Sequence, residues 1–218
     1  MHPHADQPML TAGPSPENAD ATLVLVHGRG ADAQSILALH RTLDLSNLAG
    51  LAPQAANHTW YPNPFLAEIE TNQPYLDSAL KRLAEIVDDL LSRGVPSHRI
   101  ALLGFSQGAC LTSEFIARHP RRYGAVMALT GGLIGPPGTS RDYAGSLEST
   151  PVFLGCNDPD AHIPFERVRE TEAVLSRMGA VVEVRRYPGL PHTVNDDELR
   201  VCRAMLEKVL AGDEEATS

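Results

Sequence analysis

The sequence predicts an α/β fold with a doubly wound, mostly parallel sheet and helices on both of its faces. Short apolar runs alternate with longer helix-like stretches through most of the 218-residue chain, as in repeated strand–helix–strand units. Several of these runs lack polar alternation, which is typical of strands buried on both faces of a parallel sheet. No internal repeat or linker-like segment divides the chain, so we expect residues 1–218 to form a single domain.

Each predicted element has a local signal in the sequence. The strands are short apolar runs, often β-branched and bounded by Gly, Pro or polar residues, at positions 22–26, 50–53, 100–103, 125–129, 151–155 and 181–187. The predicted helices cover positions 32–45, 76–91, 109–119, a segment that Pro164 opens, and 196–210. The clearest is 76–91, where apolar residues recur with i, i+3, i+4, i+7 spacing until Gly94 and Pro96 end the helix.

Three segments carry no clear helix or strand pattern. Residues 1–19 are rich in Pro, Ala and polar groups, and we interpret them as an edge hairpin or a loose arm. Residues 54–74 form a long irregular stretch, and loops of this length are often lids or binding loops. Residues 212–218 are expected to fray as a tail.

The composition excludes several classes of partner. The chain has 27 acidic and 18 basic residues and a net charge of -9, whereas nucleic acids and anionic membranes require basic patches. Cys110, Cys156 and Cys202 are far apart and form no C-x-x-C pair, which favours a reducing compartment. Neither a basic leader nor a run of 18 apolar residues is present, so we expect a cytoplasmic protein without a membrane span.

The most informative motif is G-x-S-x-G at residues 104–108, between the predicted strand 100–103 and the helix that follows. This context indicates a nucleophile elbow, a sharp turn that holds the serine in a strained conformation and exposes its hydroxyl. Glycine on either side removes the Cβ atoms that would collide across the turn. Ser106 is therefore the predicted nucleophile, at the positive end of a helix that stabilises an anionic intermediate.

A serine hydroxyl needs a base, and histidine suits this role near neutral pH. His192 follows the last predicted strand, which gives the chain order Ser, acid, His that is found in α/β hydrolases. The acid should follow the strand at 151–155, where Asp158 and Asp160 both qualify. We favour Asp160, with Asp158 as the alternate acid, and the chosen carboxylate would orient His192 and stabilise its charged form.

The same acidic segment resembles a cation-binding loop, because Asp158, Asp160 and His162 alternate along it. No second oxygen-rich segment and no H-E-x-x-H motif accompanies it, so we predict no catalytic metal. His27 and His162 are interpreted as hydrogen-bonded structural groups near the site.

An oxyanion hole requires two backbone N–H donors. Gln107, directly after the nucleophile, should supply one, and Arg29 in the turn after the first buried strand is our choice for the second. That Gly-rich turn lacks both nucleotide-binding spacings, G-x-x-x-x-G-K-[ST] and G-x-G-x-x-G. In the irregular stretch, Trp60, Tyr61 and Phe65 are candidates to line an apolar substrate pocket, although ordinary core packing is an equal alternative for each.

Taken together, the motifs resemble those of the phospholipase/carboxylesterase family of α/β hydrolases, over roughly residues 20–210. They occur in chain order as His-Gly-Arg-Gly, Ala-Pro-Gln, Thr-Trp-Tyr, Gly-Phe-Ser-Gln-Gly and Pro-His. The resemblance implies an α/β-hydrolase fold, a Ser-Asp-His triad, hydrolysis of esters or thioesters without a cofactor, and oxyanion donors from Arg29 and Gln107. One departure is that Asp160 keeps the family's spacing to the following proline but lies two residues farther from Gly155.

We therefore predict a serine carboxylesterase that hydrolyses short- to medium-chain esters through an acyl-enzyme, with a small-molecule ester as its substrate. A lysophospholipase or an acyl-protein thioesterase is the alternative within the same chemistry. A non-catalytic binding module on a hydrolase scaffold is the alternative from another class, because a fold alone does not prove activity. The sequence is compatible with a homodimer.

Overall fold

The computed structural model describes residues 2–212. Its strands are β1 (Met9–Ala12), β2 (Ala21–Val26), β3 (Leu48–Pro53), β4 (Ile100–Phe105), β5 (Ala125–Leu129), β6 (Pro151–Asp158) and β7 (Val181–Pro188). Its α-helices are α1 (Ala33–Leu43), α2 (Tyr75–Ser92), α3 (Gln107–Arg118), α4 (Phe165–Arg177) and α5 (Asp196–Ala211). The strands form one sheet in the order β1-β3-β2-β4-β5-β6-β7, parallel except for the pair of β1 and β3. The predicted doubly wound, mostly parallel sheet is confirmed.

Helices cover both faces of this sheet because its inner strands are apolar on both sides. All six residues of β2 are buried, and its alternate side chains point to opposite faces. Val24 and Val26 pack into a core shared with α2, α3 and α4, whereas Leu23 and Leu25 pack into a core shared with α1 and α5. This arrangement leaves the loops at the strand ends as the places where a ligand can bind.

The N-terminal segment takes neither of the two forms expected for it. Residues Met9–Ala12 form an edge strand, but they pair with β3 rather than with the next strand along the chain, so they do not form a hairpin. His4, farther upstream, is fully buried and its ring accepts a hydrogen bond from the backbone N–H of Ala56 at 3.0 Å. The segment is therefore part of the packed structure. Of the tail predicted at 212–218, only Gly212 lies among the described residues.

Strand β6 is longer than its apolar run predicts. It continues three residues beyond Gly155, and its register runs from Pro151 opposite Val181 to Asp158 opposite Pro188. The added residues are polar or small, so backbone pairing with β7 rather than side-chain hydrophobicity extends the strand. This extension determines which acidic side chains remain in the strand and which lie in the turn beyond it.

The carboxyl ends of β2, β4, β6 and β7 lie on the same edge of the sheet, since these strands are parallel. Arg29 follows β2, Ser106 follows β4, Asp160 follows β6 and His192 follows β7. Parallel pairing therefore gathers residues that are up to 163 positions apart in sequence at one rim. None of the helices within residues 2–212 is long and apolar enough to cross a membrane.

Candidate active site

Ser106 lies at a sharp turn between β4 and α3, with φ 54° and ψ −118°. This positive φ is strained for a residue with a side chain, and the turn is held by hydrogen bonds on both sides of the serine. Its N–H donates to the carbonyl of Leu129, and its own carbonyl accepts from the N–H of Cys110, both at 3.0 Å. A Cβ at Gly104 would collide with the carbonyl of Gly108, so the turn requires glycine there. The local sequence thus folds into the nucleophile elbow that the motif predicted.

His192 connects Ser106 to a carboxylate. Its Nε2 lies 2.8 Å from Ser106 Oγ, and its Nδ1 lies 2.7 Å from Asp160 Oδ2. Because a carboxylate only accepts, Nδ1 carries the proton, which leaves Nε2 free to accept from the serine hydroxyl. A histidine in this tautomer and orientation can remove the proton of Ser106 during a nucleophilic attack.

The surroundings of Asp160 keep its carboxyl group ionised near neutral pH. Its side chain is fully buried, and burial alone would raise the pKa of the carboxyl. The hydrogen bond from His192 and those from the backbone N–H groups of His162 and Ile163, at 2.8 and 2.9 Å, outweigh burial and hold the pKa below its usual value. The negative charge of Asp160 therefore lies against His192 Nδ1 and favours the imidazolium that forms when the ring takes up a proton.

Asp158 has a different environment, although it is only two residues away. It is the last residue of β6, and its carboxylate forms an ion pair with Arg186 of the neighbouring strand β7. Its carbonyl also accepts from the N–H of Gly189 at 3.0 Å. The structure thus brings Asp160, rather than the alternate candidate Asp158, into contact with His192.

Two backbone N–H groups near Ser106 are available for an oxyanion. Gln107 is the first residue of α3, where helix geometry leaves the N–H without an intrahelical acceptor. The turn that contains Arg29 passes close to the serine, since a Cβ at Gly28 would lie 3.4 Å from Ser106 Cβ. Within residues 2–212, neither the N–H of Arg29 nor that of Gln107 donates to another protein group. Both donors named from the sequence therefore remain free at this rim.

The side chain of Gln107 has a role that the sequence does not reveal. Its Oε1 accepts from the N–H of Trp60 at 2.9 Å, and its Nε2 donates to the carbonyl of Tyr61 at 2.8 Å. On the outer side of the same loop, the guanidinium of Arg29 donates to the carbonyls of Pro62 and Asn63 at 2.6 and 2.7 Å. The two residues predicted as oxyanion donors thus also fix residues 60–63 against the elbow.

The aromatic residues of this loop lie in the core. Trp60 and Tyr61 have no exposed surface, and Phe65 is 6% exposed. The indole N–H of Trp60 donates to the carbonyl of His27 at 2.9 Å, because the anchored loop turns these side chains inward. In this structure they cannot line a substrate pocket directly, which departs from the role considered for them. They instead belong to the core that the loop shares with α2 and α3, which is the ordinary packing that the sequence left as an equal alternative.

Within residues 2–212, the side chains of His27, Cys110 and His162 form no hydrogen bond to the side chains of Ser106, His192 or Asp160. His27 is buried and neutral, donating from Nδ1 to the carbonyl of Gly28 at 2.8 Å and accepting at Nε2 from the N–H of Ala55 at 3.1 Å. Burial raises the pKa of the Cys110 thiol to about 12, so it is not a thiolate near neutral pH. His162 meets the ring of His192 edge-on, with centroids 5.2 Å apart. No group of three or more metal-binding side chains occurs in the part of the chain that the structure describes.

The fold and this site define the class of the protein: it is an α/β hydrolase. The sequence profile of the Phospholipase/Carboxylesterase family matches residues 11–210, and the chain belongs to that family. The resemblance drawn from the motifs is thereby confirmed, and the protein is a carboxylic ester hydrolase.

The chain is similar to proteins from bacteria, plants and fungi. The crystal structure of a phospholipase/carboxylesterase from Dyadobacter fermentans superposes with a TM-score of 0.90 and 41% identity, covering 95% of this chain and 99% of that one. Carboxylesterase SOBER1 of Arabidopsis thaliana is 23% identical over 208 residues, which are 87% of this chain and 91% of the relative. Acyl-protein thioesterase 1 of Debaryomyces hansenii is 28% identical over 129 residues, which are 57% of this chain and 54% of the relative.

Proposed function

We propose that this protein is a serine carboxylesterase that works through an acyl-enzyme, with Ser106 as nucleophile, His192 as base and Asp160 as orienting acid. The observation that carries the proposal is the continuous chain of two hydrogen bonds, 2.8 Å from Ser106 to His192 and 2.7 Å from His192 to Asp160. A nucleophile, a base and an orienting group within hydrogen-bond reach of one another are the arrangement that acyl transfer requires.

The proposed reaction has two halves. Ser106 Oγ attacks the acyl carbon as its proton passes to His192 Nε2, and the tetrahedral intermediate collapses when His192 gives that proton to the leaving alkoxide. A water molecule then attacks the acyl-enzyme, again losing a proton to His192, and the carboxylic acid leaves as Ser106 regains its proton. Asp160 keeps its negative charge throughout and stabilises the protonated ring between the steps.

The negative charge on the tetrahedral oxygen would be held by the free N–H groups of Arg29 and Gln107. Loss of a single such donor in comparable enzymes costs about 10²–10³ in kcat. Gln107 also begins α3, so the positive end of the helix dipole supports the same oxygen. Because both residues are tied to the loop at 60–63, these donors are held in place before the substrate binds.

The burial of the large apolar side chains around the nucleophile elbow favours a substrate with a short acyl group. A long acyl chain needs exposed apolar surface in its binding site, because each CH₂ that it buries there contributes about 0.8 kcal/mol of binding free energy. The loops beside α3 direct their large apolar side chains into the core, and four of these have no exposed surface: Trp60, Tyr61, Leu133 and Ile134. The alternative, a lysophospholipase or acyl-protein thioesterase, has support in the names of relatives such as the fungal thioesterase. A series of p-nitrophenyl esters from acetate to palmitate separates the two, since only the alternative predicts higher kcat/KM for the longest chains.

Replacing the nucleophile tests the proposal. Ser106→Ala should lower kcat for p-nitrophenyl acetate by about 10⁵ or more, because the triad acts as a unit. Ser113→Ala is a matched control, since Ser113 is a buried serine of α3, the helix that follows Ser106, and its hydroxyl donates to the carbonyl of Ala109. Turnover by Ser106→Ala near the wild-type rate would refute the assignment and would favour a non-catalytic role for the fold.

A further inference from the structure

Asn157 is a buried polar residue beneath the loop that carries His192. It lies near the end of β6, three residues before Asp160, and has no exposed surface. Its Nδ2 donates to the carbonyl of Pro191 at 2.6 Å and to the carbonyl of Thr193 at 3.0 Å. A single side-chain amide therefore binds the carbonyls of the two residues on either side of His192.

The loop that carries His192 lies outside the paired strands, so the amide of Asn157 helps to hold it. Strand β7 ends at Pro188, and α5 begins at Asp196, so residues 189–195 belong to neither element. The loop is fastened at its start by the N–H of Gly189 on the carbonyl of Asp158, and at its end by the capping side chains of Asn195 and Glu198. Between these points, Asn157 supplies the hydrogen bonds from a neighbouring element to the backbone on either side of His192. Within the loop itself, the hydroxyl of Thr193 donates to the carbonyl of Val194 at 3.4 Å.

The hydrogen-bonding capacity of asparagine explains why this residue type occupies position 157. Two carbonyl oxygens must each receive a hydrogen bond, and the primary amide of asparagine supplies two N–H donors from one atom. The other end of the amide, Oδ1, is buried and has no hydrogen-bond partner among residues 2–212. Burying a polar atom without a hydrogen-bond partner costs free energy. The two hydrogen bonds that the amide donates to the loop offset this cost.

We propose that Asn157 is a positioning residue for the hydrolysis reaction: by holding the carbonyls of Pro191 and Thr193, it sets the place of the His192 ring relative to Ser106 and Asp160. The inference rests on the proposed function. The end of β6 thus sets the positions of both the base and the acid. Asp160 follows β6, and Asn157 extends from β6 to the loop that carries His192. A shift of about 1 Å in such a group can lower a rate about 10²-fold.

The test compares Asn157→Asp and Asn157→Ser with the wild type. Aspartate has the same shape but no N–H, whereas serine keeps one donor. Active sites are counted by stoichiometric labelling with a fluorophosphonate, and kcat is expressed per labelled site with p-nitrophenyl acetate as substrate. We expect kcat per site to fall about 10²-fold for Asn157→Asp and less for Asn157→Ser, with KM changing by less than about threefold.

A purely structural role gives a different result. Thr150→Val is the matched control, because Thr150 is fully buried just before the opposite end of β6. Its hydroxyl accepts from the N–H of Tyr123 and lies within hydrogen-bond distance of the carbonyls of Leu147 and Arg121. We expect Thr150→Val to lower the melting temperature while kcat per labelled site stays at the wild-type value. Asn157 variants that lose only melting temperature or labelled fraction, with unchanged kcat per site, would overturn the inference.

Failure of the proposal and failure of the proposed function are distinguishable. If Ser106→Ala abolishes turnover but both Asn157 variants keep the wild-type kcat per site, the esterase assignment stands and the positioning role is wrong. If Ser106→Ala retains turnover, the reaction does not use Ser106 and the positioning role falls with it. Should Asn157→Asp fail to fold, Asn157→Ser alone decides, since an unchanged kcat per site in that variant also refutes the proposal.

Discussion

At the scale of single residues, the site separates two aspartates that are two positions apart. Asp158 ends β6 and forms an ion pair with Arg186 on the adjacent strand. Asp160 lies in the turn beyond and contacts His192 Nδ1. The difference arises from strand length, because β6 keeps pairing with β7 through Asp158. Asp158 is thereby kept in the strand beside Arg186, and Asp160 lies in the turn where its carboxylate reaches His192.

The two aspartates should therefore differ sharply when each is replaced by asparagine. Asp160→Asn keeps the shape but can offer an N–H to His192 Nδ1, which favours the wrong tautomer and removes the stabilising charge, so we expect kcat to fall by about 10⁴. Asp158→Asn is the control, and its kcat should stay within about threefold of the wild type, as expected for a partly exposed ion pair. Steady-state kinetics with p-nitrophenyl acetate measure both. The reverse ranking would assign the acid to Asp158.

At the scale of elements, the start of α3 organises the site through both backbone and side chain. Its first residue, Gln107, offers a free N–H at the helix end and binds the loop at Trp60 and Tyr61 with its amide. The loop is held from the other side by Arg29 and by Asn72, whose Oδ1 accepts from the N–H of Asn63 at 2.8 Å. With three anchors, residues 60–63 form a fixed wall of the site in this structure.

Gln107→Ala separates these two roles. The variant keeps the backbone N–H but leaves the buried N–H of Trp60 without its partner, at a cost of about 1–3 kcal/mol in the free energy of unfolding. The carbonyl of Tyr61 loses one of its two donors and keeps the hydroxyl of Thr59. Urea denaturation measures this loss, and we expect a further decrease of kcat because the loop is no longer fixed. Gln34→Ala, an exposed position in α1, serves as the control and should change neither quantity. A Gln107→Ala protein as stable as the wild type would contradict the anchoring role.

At the scale of the whole molecule, buried titratable groups link stability to pH in opposite directions. Burial lowers the pKa of His4 and His27 below 6.5, so their contribution to stability is complete above that pH and is lost as the pH falls through their folded-state pKa values. Burial raises the pKa of Glu198 to about 7 from an ordinary 4.5. Its contribution is complete below pH 4.5 and is lost as the pH rises through 7, since the native state must then bury a charge.

Glu198→Gln isolates this last contribution. The glutamine can still accept the hydrogen bond from the N–H of Asn195 that caps α5, but it carries no charge at any pH. We expect the variant to exceed the wild type in unfolding free energy by about 3 kcal/mol at pH 8.5, and by less than about 1 kcal/mol at pH 5. Urea denaturation at both pH values gives the comparison, in which the contributions of His4 and His27 cancel. A difference that does not shrink toward pH 5 would contradict the titration of Glu198.

The sequence predicts what depends on local patterns. The six predicted strands, the five predicted helices and the turn at Ser106 follow from apolar runs and glycine spacing, and the elements begin and end within three residues of their predicted bounds. Strand β1 is not among the predicted strands, because its short segment carries no apolar run. The choice between Asp158 and Asp160 depends on where β6 stops pairing with β7, which no local pattern encodes. The inward direction of Trp60 and Tyr61 likewise depends on anchors 46 or 47 positions away in sequence. Asn157 carries no motif at all, since its partners belong to a loop more than 30 residues farther along.

Labelling by a fluorophosphonate, followed by peptide mass spectrometry, tests most directly whether the hydroxyl at the elbow is the activated group. The account predicts a single adduct on the peptide that contains Ser106, formed stoichiometrically in the wild type, formed far more slowly in His192→Ala and absent in Ser106→Ala. An adduct on another residue, or esterase turnover without any adduct on Ser106, would contradict it.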